Sequence, residues 1–245
     1  MNPFRQYLEL LSLSIRMSRS MIWFISMVNV AFAVGLVVGF GYVIPDISRT
    51  TALFLVTGTA TQMIVTVALV ALPTSIAEAK RDGRLEFLFT LPISREAYLL
   101  AQMTFVFLLS LPAIVFAVGL GAWKYGFALE LSPWVLVAVP LATLSLAGLG
   151  VLIAVLSPHF QLTNAITQLA IFYVLFFAPV IFPREQLPAF LQHVGDFLPA
   201  SHAADAMRAT MTDLPGTHLL RSLLVMAAFA AGSLGLASAA ARRRG

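Results

Sequence analysis

Residues 21–44 carry no charged side chain, and five further stretches of similar length share that property: 52–77, 98–123, 133–156, 165–182 and 222–241. A bilayer core about 30 Å thick is crossed by roughly 20 apolar residues at 1.5 Å rise each, and each stretch meets that length. In hydrocarbon every backbone N–H needs an internal partner, so the stretches are predicted to be α-helices. Barrel strands would alternate apolar and polar residues in runs of about ten, and no such alternation is present. The expected fold is an all-α integral membrane protein with six transmembrane helices, a single transmembrane domain over residues 1–245.

Composition supports this solvent assignment. Of the 245 residues 60% are hydrophobic and 11% charged, against roughly 25% charged in soluble domains. A water-soluble fold of this size has too little interior for so much apolar surface. The chain has no cysteine, which excludes disulfides, thiolate metal sites and cysteine nucleophiles. The first stretch exceeds the 7–15 apolar residues of a secretory signal and is expected to remain in the protein.

Six spans put both termini on one face of the membrane, and the cations choose it. Arg5, Arg16, Arg19, Lys80, Arg81, Arg84, Arg95, Arg242, Arg243 and Arg244 lie on the side of the termini, ten of the 15 basic residues. The positive-inside rule then places both termini in the cytoplasm, in a multi-pass protein of the cell membrane. The net charge of +4 reflects topology and anionic lipid rather than nucleic acid.

Three segments between or before the spans carry more than connection. Over residues 3–19, Phe4, Tyr7, Leu8, Leu11 and Ile15 share one helical face beside a stripe of Arg5, Glu9, Ser12, Arg16 and Arg19. This predicts an N-terminal amphipathic helix lying in the membrane interface; the alternative is a plain extension of the first span. The connection 78–96 mixes charges with Leu85, Phe87, Leu88, Phe89 and Leu91. Gly83 can break the preceding helix and Pro92 can open a new element. A short helix offering apolar and charged groups to a protein partner is expected, unless Phe87 and Leu88 dip into the headgroups. Residues 183–217 hold Pro183, Pro188, Pro199 and Pro215, with helical spacing at Leu187, Phe190, Leu191, Val194 and Leu198. They predict short proline-broken outer helices at, or dipping into, the outer leaflet.

Chemical signatures are sparse. There is no G-x-x-x-x-G-K-[ST] loop, and His159, His193, His202 and His218 show no metal-ligand spacing. Ser233 in A-G-S-L-G sits among small residues, where close helix packing is the commoner meaning. The spans lack the buried acids and bases that ion-coupled transporters use. They do hold uncharged polar groups: Thr59, Gln62 and Thr66 on one face of the second span, and Asn164, Thr167 and Gln168 where the fifth begins. These faces are expected to avoid lipid, either lining a pathway or bonding neighbouring helices. Gly35 and Gly39 form a G-x-x-x-G, whose usual meaning is tight helix contact.

The sequence resembles the permease subunits of type-2 ABC exporters over nearly its whole length. The most specific stretch follows the second span: Glu78, Gly83, Leu85-Glu86, Pro92 and Arg95 match the family's acid, glycine, leucine–acid pair, proline and basic residue. The outer I-F-P-R-E-Q-L-P, with Pro183 and Pro188, and with Pro199 and Arg208 beyond it, is similar to the family's proline-broken outer helices. Arg84, Ala101-Gln102 and Ala178-Pro179 depart from residues common there. The resemblance implies that 78–96 is a coupling helix docking on a separate ATP-binding subunit, with Glu78, Gly83, Arg84, Leu85, Glu86, Phe87, Leu88 and Pro92 as its residues. It also implies two ATPase subunits carrying ATP and Mg, no cofactor in this chain, and a second permease chain forming a homodimer or heterodimer. The expected activity is export of an amphipathic or hydrophobic substrate such as a drug, lipid or glycan-lipid. The alternative reading is a stand-alone secondary transporter or channel.

Overall fold

A computed structural model of the chain describes residues 3–43, 47–91, 93–127, 130–178, 180–181, 188–214 and 218–243. Among the described residues the structure is helical, with no strand. The elements are α1 (Pro3–Met17), α2 (Arg19–Val43), α3 (Arg49–Thr66), a π-helical turn (Val67–Ala71), α4 (Leu72–Arg81), α5 (Arg84–Thr90), α6 (Arg95–Tyr125) and α7 (Val135–Leu156). They are followed by α8 (Phe160–Phe177), α9 (Ala189–Gly195), α10 (Pro199–Met211) and α11 (Leu219–Arg243).

Five of these helical stretches are long and apolar enough to cross a membrane: Ile22–Val43, Arg49–Arg81, Arg95–Tyr125, Val135–Leu156 and Leu219–Ala237. The chain is therefore a multi-pass membrane protein. α8 contributes a shorter apolar helix, Phe160–Phe176.

The centre of the bundle is the continuous rod made by α3, the π turn and α4. Almost every residue from Ala52 to Val65 is buried, while α2, α6, α7, α8 and α10 pack around it. Ser48 caps the start of the rod by accepting from the Thr51 amide at 3.2 Å, which satisfies one of the orphan donors of a first turn. The π turn lies just before Pro73, which has no N–H for the Leu69 carbonyl. The ladder widens here, with the Leu72 amide reaching back to the Val67 carbonyl. Thr74 Oγ1 donates to the carbonyls of Val70, at 2.6 Å, and Ala71, at 3.1 Å. The backbone of α7 packs against this turn, because a Cβ on Gly150 would meet the Ala68 carbonyl oxygen and lie 3.2 Å from Pro73 Cδ.

α11 packs along α7 and α10, while α1 lies along α6. The hydrophobic face expected of α1 is divided. Tyr7 and Leu11 pack against the core, whereas Phe4, Leu8 and Ile15 are exposed. Leu10 is buried in the core, and polar bonds join α1 to α6 and its cap as well: Tyr7 Oη donates to Thr104 Oγ1 at 2.9 Å, the Ser94 amide donates to Gln6 Oε1 at 3.3 Å, and Gln102 Nε2 donates to Ser14 Oγ at 3.3 Å.

The packing amends one expectation and bears on another. Nothing lies within 4 Å of where a Cβ would stand on Gly35 or Gly39, so that pair makes no tight contact within this chain. The segment between α8 and α11 does not simply rest on a surface. α9 is largely exposed, but α10 is buried along nearly its whole length against α3, α7 and α11. Its alanines at 200, 203, 204 and 206 let those backbones approach.

Candidate functional site

The corner formed by α4, α5 and α6 holds the residues predicted to meet a protein partner. α4 ends at Arg81, and Gly83 reverses the chain with φ of 71°, a left-handed conformation that costs a side-chain-bearing residue roughly 1 kcal/mol or more. The seven-residue α5 follows, and none of its residues is buried. Leu85, Leu88 and Phe89 are half-buried and packed against the core. Phe87, at 66% exposure, and Leu91 face outward, as do Arg84 and Glu86. Pro92 lies outside the described residues.

Charge around the corner is closely interleaved. Arg81 pairs with Glu78 at 3.6 Å and Asp82 at 3.1 Å, and Arg84 pairs with Asp82 at 3.6 Å. All are well exposed, so each contributes about 0–1 kcal/mol and orients rather than holds. Aromatic contacts add shape: the Arg95 guanidinium lies 5.0 Å from the Phe89 ring centroid, and Phe89 meets Tyr98 edge-on at 6.0 Å. Ser94 caps α6, accepting from the Ala97 amide at 3.1 Å.

The polar groups expected on one face of the second span separate into two kinds. Thr57, Thr61 and Thr66 donate to backbone carbonyls four residues back, of Leu53, Thr57 and Gln62, at 2.7, 3.0 and 2.9 Å. Thr59 Oγ1 and both amide atoms of Gln62 are fully buried and have no partner among the described residues. Each such orphaned group costs about 1–3 kcal/mol. On α8 the expected trio also separates. Thr167 is buried, with its hydroxyl on the Asn164 carbonyl at 2.9 Å, while Asn164 and Gln168 point out of the chain.

The opposite end of the bundle holds a buried cation. Pro183 lies outside the described residues; Pro188 precedes α9, and Pro199 opens α10. Arg208, near the far end of α10, is 2% exposed. Its Nη1 donates to Asp205 Oδ1 at 2.9 Å, its Nη2 donates to the Val180 carbonyl, and its guanidinium lies 4.3 Å from the Phe54 ring centroid. Phe54 is five residues into α3, about 7.5 Å below the end of that helix. The segment around Val180 and Ile181 comes deeper, against the face left open by Gly58, with Ile181 Cα 2.7 Å from where a Cβ would stand. Arg49 and Asp213 close the rim with two bonds at 3.0 and 3.2 Å.

Sequence reasoning singled out Arg208 without its setting. Asp205, three residues earlier on the same helix, was a readable signal for a paired cation. Phe54 and Val180 carried none, since they are brought in by folding. The bonds from Gln6, Tyr7 and Ser14 to α6 were also missed, because those residues sit in a segment whose apolar pattern dominates.

A family model described as ABC-2 family transporter protein matches residues 45–239. Nodulation protein J of Rhizobium meliloti (strain 1021) is 30% identical over 131 residues, covering 51% of this chain and 50% of that protein. Nodulation protein J of Rhizobium leguminosarum bv. viciae is 28% identical over 111 residues, covering 45% and 43%. The chain spans about half the length of the curated relatives it matches.

Proposed function

Because the chain belongs to the ABC-2 family of transporter proteins, we propose that it is the membrane-spanning permease subunit of an ATP-driven exporter. In this reading α5 is the coupling helix, and it docks on a separate ATPase that carries ATP and Mg. The observation that carries the reading is the form of α5. A short helix with outward Arg84, Glu86 and Phe87, followed by an outward Leu91, is mounted on a left-handed glycine at the end of the most buried rod in the bundle. Closure of two ATPase subunits would push on this helix and shift the spans between inward and outward access.

The finer architecture follows from the same premise. α8, at 18 residues, is about 27 Å long and falls within the range that spans a bilayer, which supports a sixth span, and the excess of Lys and Arg on the side of the termini supports their place in the cytoplasm of a cell-membrane protein. The exposed Phe4, Leu8 and Ile15 of α1 enter the interface beside the anchored α6. Asn164 and Gln168 are exposed on the single chain at the depth of a span, where lipid is a poor neighbour for amides. A second permease chain, identical or homologous, or the pathway between the two covers them. The nearly uncharged spans suit an amphipathic or hydrophobic cargo of the drug, lipid or glycan-lipid class.

The test is reconstitution in lipid vesicles with the ATPase subunit that co-purifies with the chain. ATP-dependent efflux is expected for the parent complex. Glu86→Ala and Phe87→Ala are expected to insert and assemble normally while losing efflux and its stimulation of ATP hydrolysis. Normal efflux by both variants would remove α5 from the coupling role. Uphill transport by the chain alone, driven by an ion gradient, would overturn the exporter-subunit reading altogether.

A further inference from the structure

Between α5 and the bundle lies a cavity of about 140 Å³. Its walls include Leu85 and Phe89 of α5, Lys80 of α4, Arg95 and Tyr98 of α6, and Ala154 of α7. The volume equals that of four or five waters in the liquid, enough for a headgroup or a few methylenes and too small for a whole lipid.

Polarity is graded through the site. Lys80 is the penultimate residue of α4 and Arg95 the first of α6. Both therefore stand at the ends of helices long and apolar enough to cross a membrane. Lys80 Nζ is drawn across to α7, donating to the Ser157 carbonyl at 2.9 Å, and Arg95 is held over the Phe89 ring. Further in, the wall becomes Ile76, Leu99 and Ala154, all nearly or fully buried. Two positive charges thus flank an apolar floor, and among the described residues the lining holds no acidic side chain.

The geometry points to a binding site for a phosphate-bearing amphiphile, an acidic phospholipid whose headgroup sits between Lys80 and Arg95 and whose tail leaves into the bilayer. A basic pocket between helices at the membrane surface is suited to such a headgroup. The apolar floor disfavours a free, fully hydrated anion, and the depth of the site disfavours an acidic peptide. The site is independent of the coupling role proposed for α5, because it is defined by binding alone.

Native mass spectrometry of the full chain released from detergent tests the assignment, with phosphatidylglycerol, phosphatidylcholine and inorganic phosphate as separate probes. Two cations at a membrane surface give an expected preference for phosphatidylglycerol over phosphatidylcholine of roughly 30-fold, about 2 kcal/mol. Lys80→Gln with Arg95→Gln should abolish that preference. Arg5→Gln with Arg16→Gln, which removes as much charge from exposed positions of α1, should leave it intact. Ala154→Leu, which fills the floor while keeping both cations, should weaken phosphatidylglycerol binding in the fraction that elutes as the parent does. Equal retention of both lipids, or loss of the preference in the α1 control, would overturn the site. Inorganic phosphate competing as well as the lipid would overturn the amphiphile.

Discussion

The buried pair on α10 permits a test whose ordering runs against intuition. Arg208 is 2% exposed while its partner Asp205 is 46% exposed, so the two members do not lose equally when separated. Asp205→Ala removes the carboxylate from a guanidinium held in a site closed to water, with the Val180 carbonyl and the Phe54 ring still in place. Breaking a buried pair in this way costs about 3–5 kcal/mol, and the half-exposed carboxylate argues for the lower end, about 3 kcal/mol. Arg208→Met leaves Asp205 to water at little cost. It orphans the Val180 carbonyl, about 1–3 kcal/mol, and forfeits the ring contact, about 1–2 kcal/mol. It also removes the desolvation of the cation, several kcal/mol in the opposite direction. The balance is a loss of about 1 kcal/mol. The double variant should then fall within about 0.5 kcal/mol of Arg208→Met, since no buried charge remains to be stranded. Reversible unfolding of the purified chain in mixed micelles, driven by SDS and followed by near-ultraviolet circular dichroism, gives all three values. Additive losses, or Arg208→Met being the more damaging single change, would show that the cation is not desolvated and that the pair does not hold α10 in the bundle.

Two further outcomes follow from the central rod. Gly150→Ala should destabilise the chain by about 1–3 kcal/mol in the same unfolding assay, since the new methyl collides with the Ala68 backbone carbonyl; an unchanged midpoint would mean that α7 does not pack on the π turn. Gln62→Leu removes two amide atoms that are buried without partners and should raise stability by about 1–3 kcal/mol. A loss of stability would show that the amide has a partner in the folded protein.

The positions of the long helices were legible because hydrocarbon imposes a rule that local sequence can display: some twenty residues without charge, every amide bonded within the segment. α10 obeys no such rule. Its sequence, with Ser201, His202, Asp205, Arg208 and Thr210, reads as a surface helix. Two of its polar side chains reach partners outside the helix, Arg208 at the Val180 carbonyl and His202 Nε2 at the Asp196 carbonyl, 2.9 Å away, while Thr210 bonds within it and Ser201 Oγ is buried without a partner among the described residues. Periodicity cannot report partners of that kind. α1 shows the same limit from the other side. Its apolar stripe was readable, but the bonds that Gln6, Tyr7 and Ser14 make with α6 and its cap were not. At the α4–α5 corner the turn itself was legible through Gly83. The division of α5 into inward Leu85, Leu88 and Phe89 and outward Phe87 was not, because every one of these residues is apolar and only the placement of α6 and α7 distinguishes them. The split of Thr167 from Asn164 and Gln168 has a similar cause: residues three and four apart share a broad face, yet a neighbouring helix covers only part of it.

The arrangement along the rod bears on how α5 could act at a distance under the proposed reading. A push on α5 meets Gly83 and then α4, a regular helix whose hydrogen bonds resist bending. The next point along is the π turn, where Pro73 withholds a donor from the Leu69 carbonyl and the Leu72 amide reaches back to Val67. Ladder geometry is weakest there, so displacement is expected to be absorbed by a change between π and α registers rather than by distributed flexing. Such a change rotates everything on one side of the turn relative to the other. Gln62 and Thr59 lie immediately beyond it, buried with unpartnered polar atoms, which makes the packed state poorer there than the rest of the core. A rotation that gave those atoms water or the polar part of an amphipathic cargo would recover part of that deficit. Under that reading the same groups that weaken the packed bundle would lower the cost of opening it, and they sit on the helix that a motor at α5 would turn.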